Sequence, residues 1–317
     1  MASKKLLVVF GATGAQGGSV ARAVLSDSKM KSDWAVRGIT RDVNKPSAEE
    51  LKDLGAEVVS ADLNDPSTLK PALKGAYAVY AVTNYWEKAD ANVEMAQGKA
   101  IADEAKAQGV QHFIWSSLLN VTELSKGVLS KVHHFDSKAH VEEYIRSIGI
   151  PATFFLPGFY MSNLPGGMFR PDGSKKWTLL LPIPTTSPIP LLDTASDTGK
   201  FIKGILLNRD RVLGKRIPGA TAYYTVEQIV SEFRELFPEA GKGAMAMQIP
   251  ESVYIGNMVK AGRSPESAEE MSQNMRLVGE FGYFGGMDLK ESHSLVDEKL
   301  TTWKEFMGES KALKDLR

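Results

Sequence analysis

The glycine-rich stretch GATGAQGG, residues 11–18, constrains the fold of this chain more than any other feature. It follows an apolar run, residues 6–10, of the kind typical of a strand buried on both faces of a parallel sheet. Gly11, Gly14 and Gly17 are spaced three apart, and they predict a tight turn, close approach of a phosphate, and close packing of a helix on the strand. The free N–H groups of the first helical turn face such an anion. The stretch therefore predicts a dinucleotide-binding site, to which Thr13 and Gln16 add side-chain contacts.

The first half of the chain alternates short apolar runs with longer amphipathic ones. Strands are expected near residues 34–40, 57–61, 76–82, 112–116 and 152–156, and helices near 17–26, 48–54, 89–108 and 135–148. The short connections between them predict an α/β fold, a Rossmann-type doubly wound parallel sheet with helices on both faces.

After Pro157 this alternation ends. Residues 157–190 are rich in glycine, proline and aromatic residues, which predicts irregular chain over the mouth of a site. A strand pair is expected near residues 215–224, and helices over most of 250–317. We therefore expect residues 1–157 to form the dinucleotide-binding domain, with a return segment near 193–210. Residues 158–192 and 211–317 are expected to form a smaller mixed, mainly helical domain for a substrate or partner.

Charge and composition narrow the partners and the compartment. Lys plus Arg is 38 and Asp plus Glu is 38, so the net charge is zero, which argues against direct nucleic-acid binding. The absence of cysteine excludes disulfides, thiolate catalysis and cysteine–zinc sites. No apolar run approaches the roughly 20 residues of a membrane helix, and the N-terminus is not typical of a signal peptide. We expect a cytoplasmic protein, with the nucleus as the alternative, and no membrane association.

The residues after the second and third predicted strands bear on the choice of dinucleotide. Arg41 lies at the end of the second strand, and Lys45 follows four residues later. A guanidinium here suits the 2′-phosphate of NADP, because it donates paired, charge-assisted hydrogen bonds. Asp42 is an alternative acceptor for the ribose hydroxyls, as in NAD-binding proteins. We therefore expect NADP(H), with NAD(H) as the alternative, and Asp62 and Leu63 are placed to flank the adenine.

Four segments carry a resemblance to a known family: GATGAQGGSVAR, TRDVNKP, AVTNYWE and HFDSKAHVEEYIRSIGIP. In this order and spacing, the chain resembles the NmrA-like family, atypical relatives of the short-chain dehydrogenases/reductases. The founder of that family is a fungal regulator of nitrogen-metabolite repression, so the resemblance implies transcriptional regulation through a protein partner. It also implies contacts to NADP(H) from Gly11, Thr13, Gly14, Gln16, Gly17, Arg41, Lys45, Asp62, Leu63 and Lys138, with Thr83, Asn84 and Tyr85 near the nicotinamide half and Pro157 and Phe159 on its other side.

The pair of residues that short-chain reductases use for proton transfer is replaced here. Those enzymes place a tyrosine four residues before a lysine, one helical turn apart. None of the nine tyrosines has a lysine four residues later, and the segment HFDSK instead places His134 four residues before Lys138. Lys138 is expected to bind ribose hydroxyls. For His134, three roles stay open: a ribose-side or structural residue, a substrate contact, or the catalytic acid, for which Tyr160 is a second candidate.

Two further groups of residues are weaker candidates for a catalytic or metal-binding role. Related extended reductases carry an orienting serine where Leu118 stands, so Ser117 is only a weak candidate for that role. His133, Asp136 and His140 would share one face of a continuous helix. Because the helix is expected to begin only near residue 135, no metal site is predicted.

Six aromatic residues surround the predicted cleft in the sequence. They are explained either by core and lid packing or by a hydrophobic pocket that accepts an aromatic or quinone-like molecule. The six are Tyr85, Trp86, Phe159, Tyr160, Phe169 and Trp177.

Two functions are compatible with a complete dinucleotide site that lacks the usual tyrosine. The first is a redox sensor, which binds NADP(H) and then presents a different surface to a regulatory protein partner. The alternative is an NADPH-dependent oxidoreductase of a small hydrophobic carbonyl, quinone or imine, with His134 or Tyr160 as proton donor.

Overall fold

Strands and helices alternate along the first half of the chain in the computed structural model, which describes residues 4–316. The strands are β1 (Lys5–Val9), β2 (Trp34–Thr40), β3 (Glu57–Ser60), β4 (Ala78–Ala81), β5 (His112–Ser116), β6 (Ala152–Pro157), β7 (Phe159–Tyr160), β8 (Phe169–Pro171), β9 (Trp177–Leu181), β10 (Pro188–Leu192), β11 (Arg216–Gly219), β12 (Ala222–Thr225) and β13 (Met245–Gln248). The α-helices are α1 (Ala15–Ser26), α2 (Ser28–Asp33), α3 (Pro46–Asp53), α4 (Leu69–Leu73), α5 (Ala91–Ala107), α6 (Val121–Leu124), α7 (His133–Ile148), α8 (Thr194–Leu207), α9 (Arg209–Val212), α10 (Val226–Leu236), α11 (Glu251–Lys260), α12 (Pro265–Arg276), α13 (Lys290–His293) and α14 (Trp303–Glu309). Single turns of 3-10 helix cover Pro66–Thr68, Tyr85–Glu87 and Met161–Asn163, a longer one covers Lys311–Leu316, and a π-helical turn, Leu277–Phe281, continues α12.

The central sheet has seven parallel strands in the order β11-β6-β5-β4-β1-β2-β3. The chain moves outward from β1 first through β2 and β3, then returns to β4 on the other side. This reversal of direction beside β1 is the topological switch point at which open α/β sheets bind ligands. The predicted Rossmann-type fold is confirmed, and β2 and β5 have the bounds that their apolar runs predict.

Two hydrophobic layers cover the two faces of this sheet. Successive residues of β1 alternate between them: Val8 packs in the layer with α5 and α7, and Leu7 in the layer with α1 and α8. Two glycines bring these helix pairs close together. A Cβ on Gly98 of α5 would lie 2.7 Å from Val141 of α7, and one on Gly199 of α8 would lie 2.5 Å from Ala23 of α1. The sheet is thereby buried on both faces, and its carboxyl edge remains for ligands.

The second half of the chain differs from two of the expectations. Residues 157–190 are not wholly irregular, because they contain four short strands, which enter two three-stranded sheets in the orders β12-β10-β7 and β13-β9-β8. The two strands expected near residues 215–224 are present, but the expectation that they pair with each other is wrong. Strand β11 pairs in parallel with β6 as the seventh strand of the main sheet, whereas β12 pairs antiparallel with β10. The segment expected in the smaller domain thus contributes one strand to the larger sheet, and the domain division otherwise stays a prediction.

The C-terminal region is mostly helical, as its sequence indicates. Pro265 lies in the first turn of α12, and the Ser264 hydroxyl caps that turn by accepting from the Ser267 N–H at 3.2 Å. Within residues 4–316, no helix combines the length and the apolar character that a membrane crossing needs.

Candidate functional site

The glycine turn joins β1 to α1 at the carboxyl edge of the sheet. Gly11 has a φ of +61°, a left-handed conformation that glycine adopts at little cost. A Cβ on Gly17 would lie 2.5 Å from the carbonyl oxygen of Phe10, so the fold requires glycine there, whereas a Cβ on Gly14 would lie 3.3 Å from its nearest neighbour. No side chain caps the α1 N-terminus at Gly14. These features fit the pyrophosphate of a dinucleotide, because the first N–H groups of α1 can be approached closely from the Gly14 side.

Arg41 lies at the outer end of this edge, directly after β2. Its side chain is 60% exposed, and its Nη1 pairs with the Glu87 carboxylate at 2.5 Å. Glu87 belongs to the Tyr85–Glu87 turn after β4, so an anion that binds Arg41 competes with this turn. Thr13 is nearer the glycines, with its Oγ1 3.4 Å from the Thr40 Oγ1. The other residues predicted on this side lie half-buried shortly after β2 and β3: Lys45, Asp62 and Leu63.

Gln16 is the centre of a buried hydrogen-bond cluster. Its Oε1 accepts from the Tyr80 hydroxyl at 2.5 Å and from the Ser116 hydroxyl at 2.9 Å, and its Nε2 donates to the Tyr160 oxygen at 2.6 Å. Its partners come from β4, β5 and β7. Gln16, predicted from the sequence as a cofactor contact, therefore also holds the glycine turn against Tyr160.

Tyr160 is a weak acid in this environment. Burial raises the pKa of its phenol to about 12, and the hydrogen bond from Gln16 opposes that rise only in part. Because the tyrosine of a short-chain reductase works with a lysine cation that lowers its pKa, Tyr160 lacks the feature that would make it a strong donor.

Lys138 forms a buried ion pair that the sequence did not predict. Its Nζ donates to the carboxylate of Glu94, and it also contacts the Thr83 hydroxyl at 3.1 Å and the Thr83 carbonyl oxygen at 3.4 Å. The side chains of Lys138 and Glu94 are 11% and 1% exposed. Glu94 accepts two more hydrogen bonds, from the hydroxyls of Thr83 and Ser137. All three donors of the ammonium group have protein partners, so a ribose hydroxyl must replace or share one of them.

His134 also has a buried carboxylate partner. Its Nδ1 lies 2.6 Å from Oε1 of Glu270 in α12, and its backbone N–H donates to the same oxygen at 2.9 Å. Burial raises the pKa of Glu270, but the hydrogen bonds and the charge of His134 outweigh burial and leave that pKa lowered. The ionised carboxylate fixes the ring through Nδ1, which leaves Nε2 for a ligand. The Glu270 carboxylate also accepts at the N-terminus of α7, where a negative charge is favourable.

A cavity of about 800 Å³ brings together the residues predicted around the nicotinamide. This volume lies within the range typical of small-molecule and cofactor sites. Rings of Tyr85, Trp86 and Phe135 lie within 6 Å of the His134 ring, between centroids. The predicted residues that line the cavity are Gln16, Thr83, Asn84, Tyr85, Trp86, His134, Lys138, Pro157, Phe159 and Tyr160.

Several predicted residues lie elsewhere. Phe169 and Trp177, two of the six aromatics, pack against Phe233 with ring centroids 4.7 and 5.0 Å away, in the core. Ser117 donates to Glu142 at 2.6 Å, whereas Leu118 lines the cavity, so the orienting serine of related reductases has an apolar replacement here.

The helix that carries His134 begins at His133, earlier than expected, but this does not assemble a metal site. Asp136 accepts from the Val121 N–H at 2.6 Å and from the Thr122 hydroxyl at 2.5 Å, so its carboxylate anchors α6. His140 pairs with Glu143 on the surface. The part of the chain that the structure describes contains no cluster of three or more His, Asp or Glu side chains suited to a metal ion.

Glu94 and Glu270 are two charged residues of the site that sequence reasoning missed. For Glu94 a signal exists: it lies four and seven residues before Gly98 and Ile101 on the buried face of α5. A carboxylate in such a stripe predicts a buried cationic partner. For Glu270 no comparable signal exists, because the buried face of α12 is itself largely polar.

Comparison with known proteins identifies the relatives of this chain. A model of the NmrA-like family matches residues 3–307. The NmrA-like family domain-containing oxidoreductase cpsB of Aspergillus campestris is 33% identical over 252 residues, which cover 74% of this chain and 73% of that protein. An NmrA-like family domain-containing protein of Dictyostelium discoideum is 29% identical over 322 residues, with 96% and 97% covered.

Solved structures show the same architecture. NmrA, a negative transcriptional regulator solved in complex with NADP, has a TM-score of 0.81 and 22% identity, over 99% of this chain and 97% of that one. An NADPH-dependent quinone oxidoreductase from Escherichia coli has a TM-score of 0.71 and 20% identity, over 96% and 98%. At these identities the likeness establishes the fold alone.

Proposed function

The chain belongs to the NmrA-like family, and from this premise we propose that it binds NADP(H) and reduces a small apolar carbonyl, quinone or imine compound. One observation carries the proposal: Glu270 fixes His134 in the wall of an aromatic cavity, beside the segment predicted to contact the nicotinamide. The absence of the usual tyrosine favours a sensor. A histidine held by a buried carboxylate supplies an alternative proton donor, which favours the reductase.

The residues of this chain fit the parts of the dinucleotide in a consistent order. The N–H groups at the glycine turn would hold the pyrophosphate, and Arg41 with Lys45 would hold the 2′-phosphate. Lys138 would hold the nicotinamide ribose, at the cost of sharing a donor with Thr83. When bound, the nicotinamide would supply the hydride.

The protein's own contribution is proton transfer and exclusion of water. Glu270 accepts a hydrogen bond from Nδ1–H of His134, and the cationic form of the ring carries a second proton at Nε2. The ring would donate that Nε2 proton to the carbonyl oxygen or imine nitrogen of the substrate. The surrounding aromatic rings exclude water and favour an apolar substrate. The names of similar proteins support this class of reaction, since cpsB is called an oxidoreductase and the Escherichia coli protein an NADPH-dependent quinone oxidoreductase.

A cofactor-dependent regulator is the second candidate, and the Arg41–Glu87 pair favours it. A 2′-phosphate at Arg41 would release Glu87, and with it the Tyr85–Glu87 turn. That turn carries Trp86, whose 45% exposure makes it accessible to a protein partner. NADP(H) would thus change a surface, whereas NAD(H), which lacks that phosphate, would not.

Oxidation of NADPH, followed by absorbance against a panel of aldehydes, quinones and imines, tests the reductase. We expect turnover that falls at least about a hundredfold in His134→Gln, the lower limit for loss of a general acid. His140→Gln is the matched control, because His140 lies on the same helix and is exposed. Tight NADPH binding in calorimetry, without turnover of any substrate, would instead support the regulator.

A further inference from the structure

Helix α12 presents four buried polar side chains toward the protein interior. Three of them have partners on other elements, as buried polar groups normally do. The pairs are Glu270 with His134, Ser272 with Glu251, and Gln273 with the backbone of Lys131.

The fourth, Asn274, is the exception. The residue is 6% exposed, and its Nδ2 has no hydrogen-bond partner among residues 4–316. Two other buried polar atoms, in His112 and Thr194, share this condition, but neither residue lines the cavity, whereas Asn274 does. A buried donor without an acceptor costs free energy, which a ligand with a suitably placed acceptor recovers.

The surroundings of Asn274 define what kind of acceptor fits. The neighbouring cavity wall is formed by uncharged and mostly apolar side chains, which disfavour a charged ligand. Arg170 and Arg263 also line the cavity, but both are exposed to water. The other uncharged wall residues on and around α12 are Tyr254, Asn257, Met258, Ala261, Met271, Met275 and Tyr283.

Glu270 and Asn274 are four residues apart, so they lie on one face of α12, about 6 Å apart along its axis. The helix that positions His134 therefore also positions the orphan donor. We propose that Asn274 binds an oxygen of an uncharged, apolar ketone or quinone and so fixes the orientation of the substrate in the cavity. This inference rests on the proposed function in that it treats the cavity as the substrate site.

Calorimetric binding of 1,4-naphthoquinone and of naphthalene tests the inference without turnover. Both are measured with excess NADP⁺, and naphthalene is the matched ligand that lacks the oxygens. We expect Asn274→Leu, which keeps the size of the side chain, to bind naphthoquinone about tenfold more weakly, or about 1.4 kcal/mol, with naphthalene binding unchanged.

Stability provides an independent check. Because Asn274→Leu removes an unsatisfied buried donor, its melting temperature without ligand should equal or exceed that of the wild type. A lower melting temperature, or equal losses for both ligands, would overturn the inference. If naphthoquinone binds through Asn274 but is never reduced, the proposed reductase fails and the subsite stands. If it is reduced with the same KM by the wild type and Asn274→Leu, the reductase stands and the subsite fails.

Discussion

The buried Lys138–Glu94 pair predicts that Lys138 stabilises the fold even without a cofactor. Removing one partner of a buried ion pair costs about 3–5 kcal/mol, because the other charge is left uncompensated. Two hydroxyl donors, from Thr83 and Ser137, would remain on Glu94. We therefore expect Lys138→Met to destabilise the cofactor-free protein by about 3 kcal/mol, the lower end of that range.

A double-mutant cycle separates this effect from simple loss of packing. Glu94→Gln combined with Lys138→Met leaves no buried charge, so the double variant should be more stable than Lys138→Met alone, by about 1–2 kcal/mol. Lys131→Met is the surface control. It breaks a pair with Glu269 whose side chains are 49% and 38% exposed, and such pairs contribute at most about 1 kcal/mol.

Urea unfolding of the cofactor-free variants, followed by fluorescence and circular dichroism, measures these differences. If Lys138→Met and Lys131→Met agree within about 0.5 kcal/mol, the reasoning is refuted. Lys138 would then serve the cofactor and not the fold.

Three further predictions concern the dinucleotide site and its histidine. Arg41→Glu should weaken NADPH binding far more than NADH binding. Glu87→Gln should strengthen NADPH binding by up to about fivefold, which corresponds to the free energy of a surface ion pair. Equal effects on the two cofactors in calorimetry would exclude a contact between Arg41 and the 2′-phosphate. Gly17→Ala should destabilise the protein by about 1–3 kcal/mol, because the added Cβ clashes with the backbone. Gly14→Ala should keep the melting temperature of the wild type but bind the cofactor more weakly. The reverse result would contradict the roles assigned to the two glycines. Because the pKa of Glu270 is lower in the folded protein than its unfolded value of about 4.3, the ionised carboxylate stabilises the fold above pH 4.3. That stabilisation is lost as the pH falls through the pKa of the folded state. Below about pH 4.3, the free energy of unfolding should therefore decline more steeply in the wild type than in Glu270→Gln. Parallel plots of unfolding free energy against pH would argue against a stabilising Glu270–His134 pair.

The features that sequence predicts well here depend on neighbouring residues. The apolar runs of β2 and β5 and the glycine spacing after β1 are local signals, and each determines its own structure almost regardless of context. The edge at which the site lies follows from the order of such elements, because parallel strands end together.

The features that the sequence does not predict depend on pairing between strands that are far apart in the chain. Strand β11 and strand β12 are separated by two residues and resemble a hairpin, yet each finds a better partner elsewhere, in β6 and β10. A hairpin would leave the outer edge of β6 unpaired, with its backbone groups exposed. The residues near β11 and β12 do not indicate which pairing is more stable, because the partner strands lie about 30 to 60 residues earlier in the chain.

The difference between local and long-range signals also affects whether the sequence can distinguish a regulator from a reductase. The dinucleotide site is built from the first half of the chain, and its motifs are equally compatible with both functions. For the proposed reductase the difference lies in α12, which carries both Glu270, 136 residues beyond His134, and Asn274. A chain with the same glycine turn and HFDSK segment but without these two side chains would bind the cofactor and lack a positioned proton donor. The residues of α12, and not the replaced tyrosine, are therefore where the choice between the two functions can be tested.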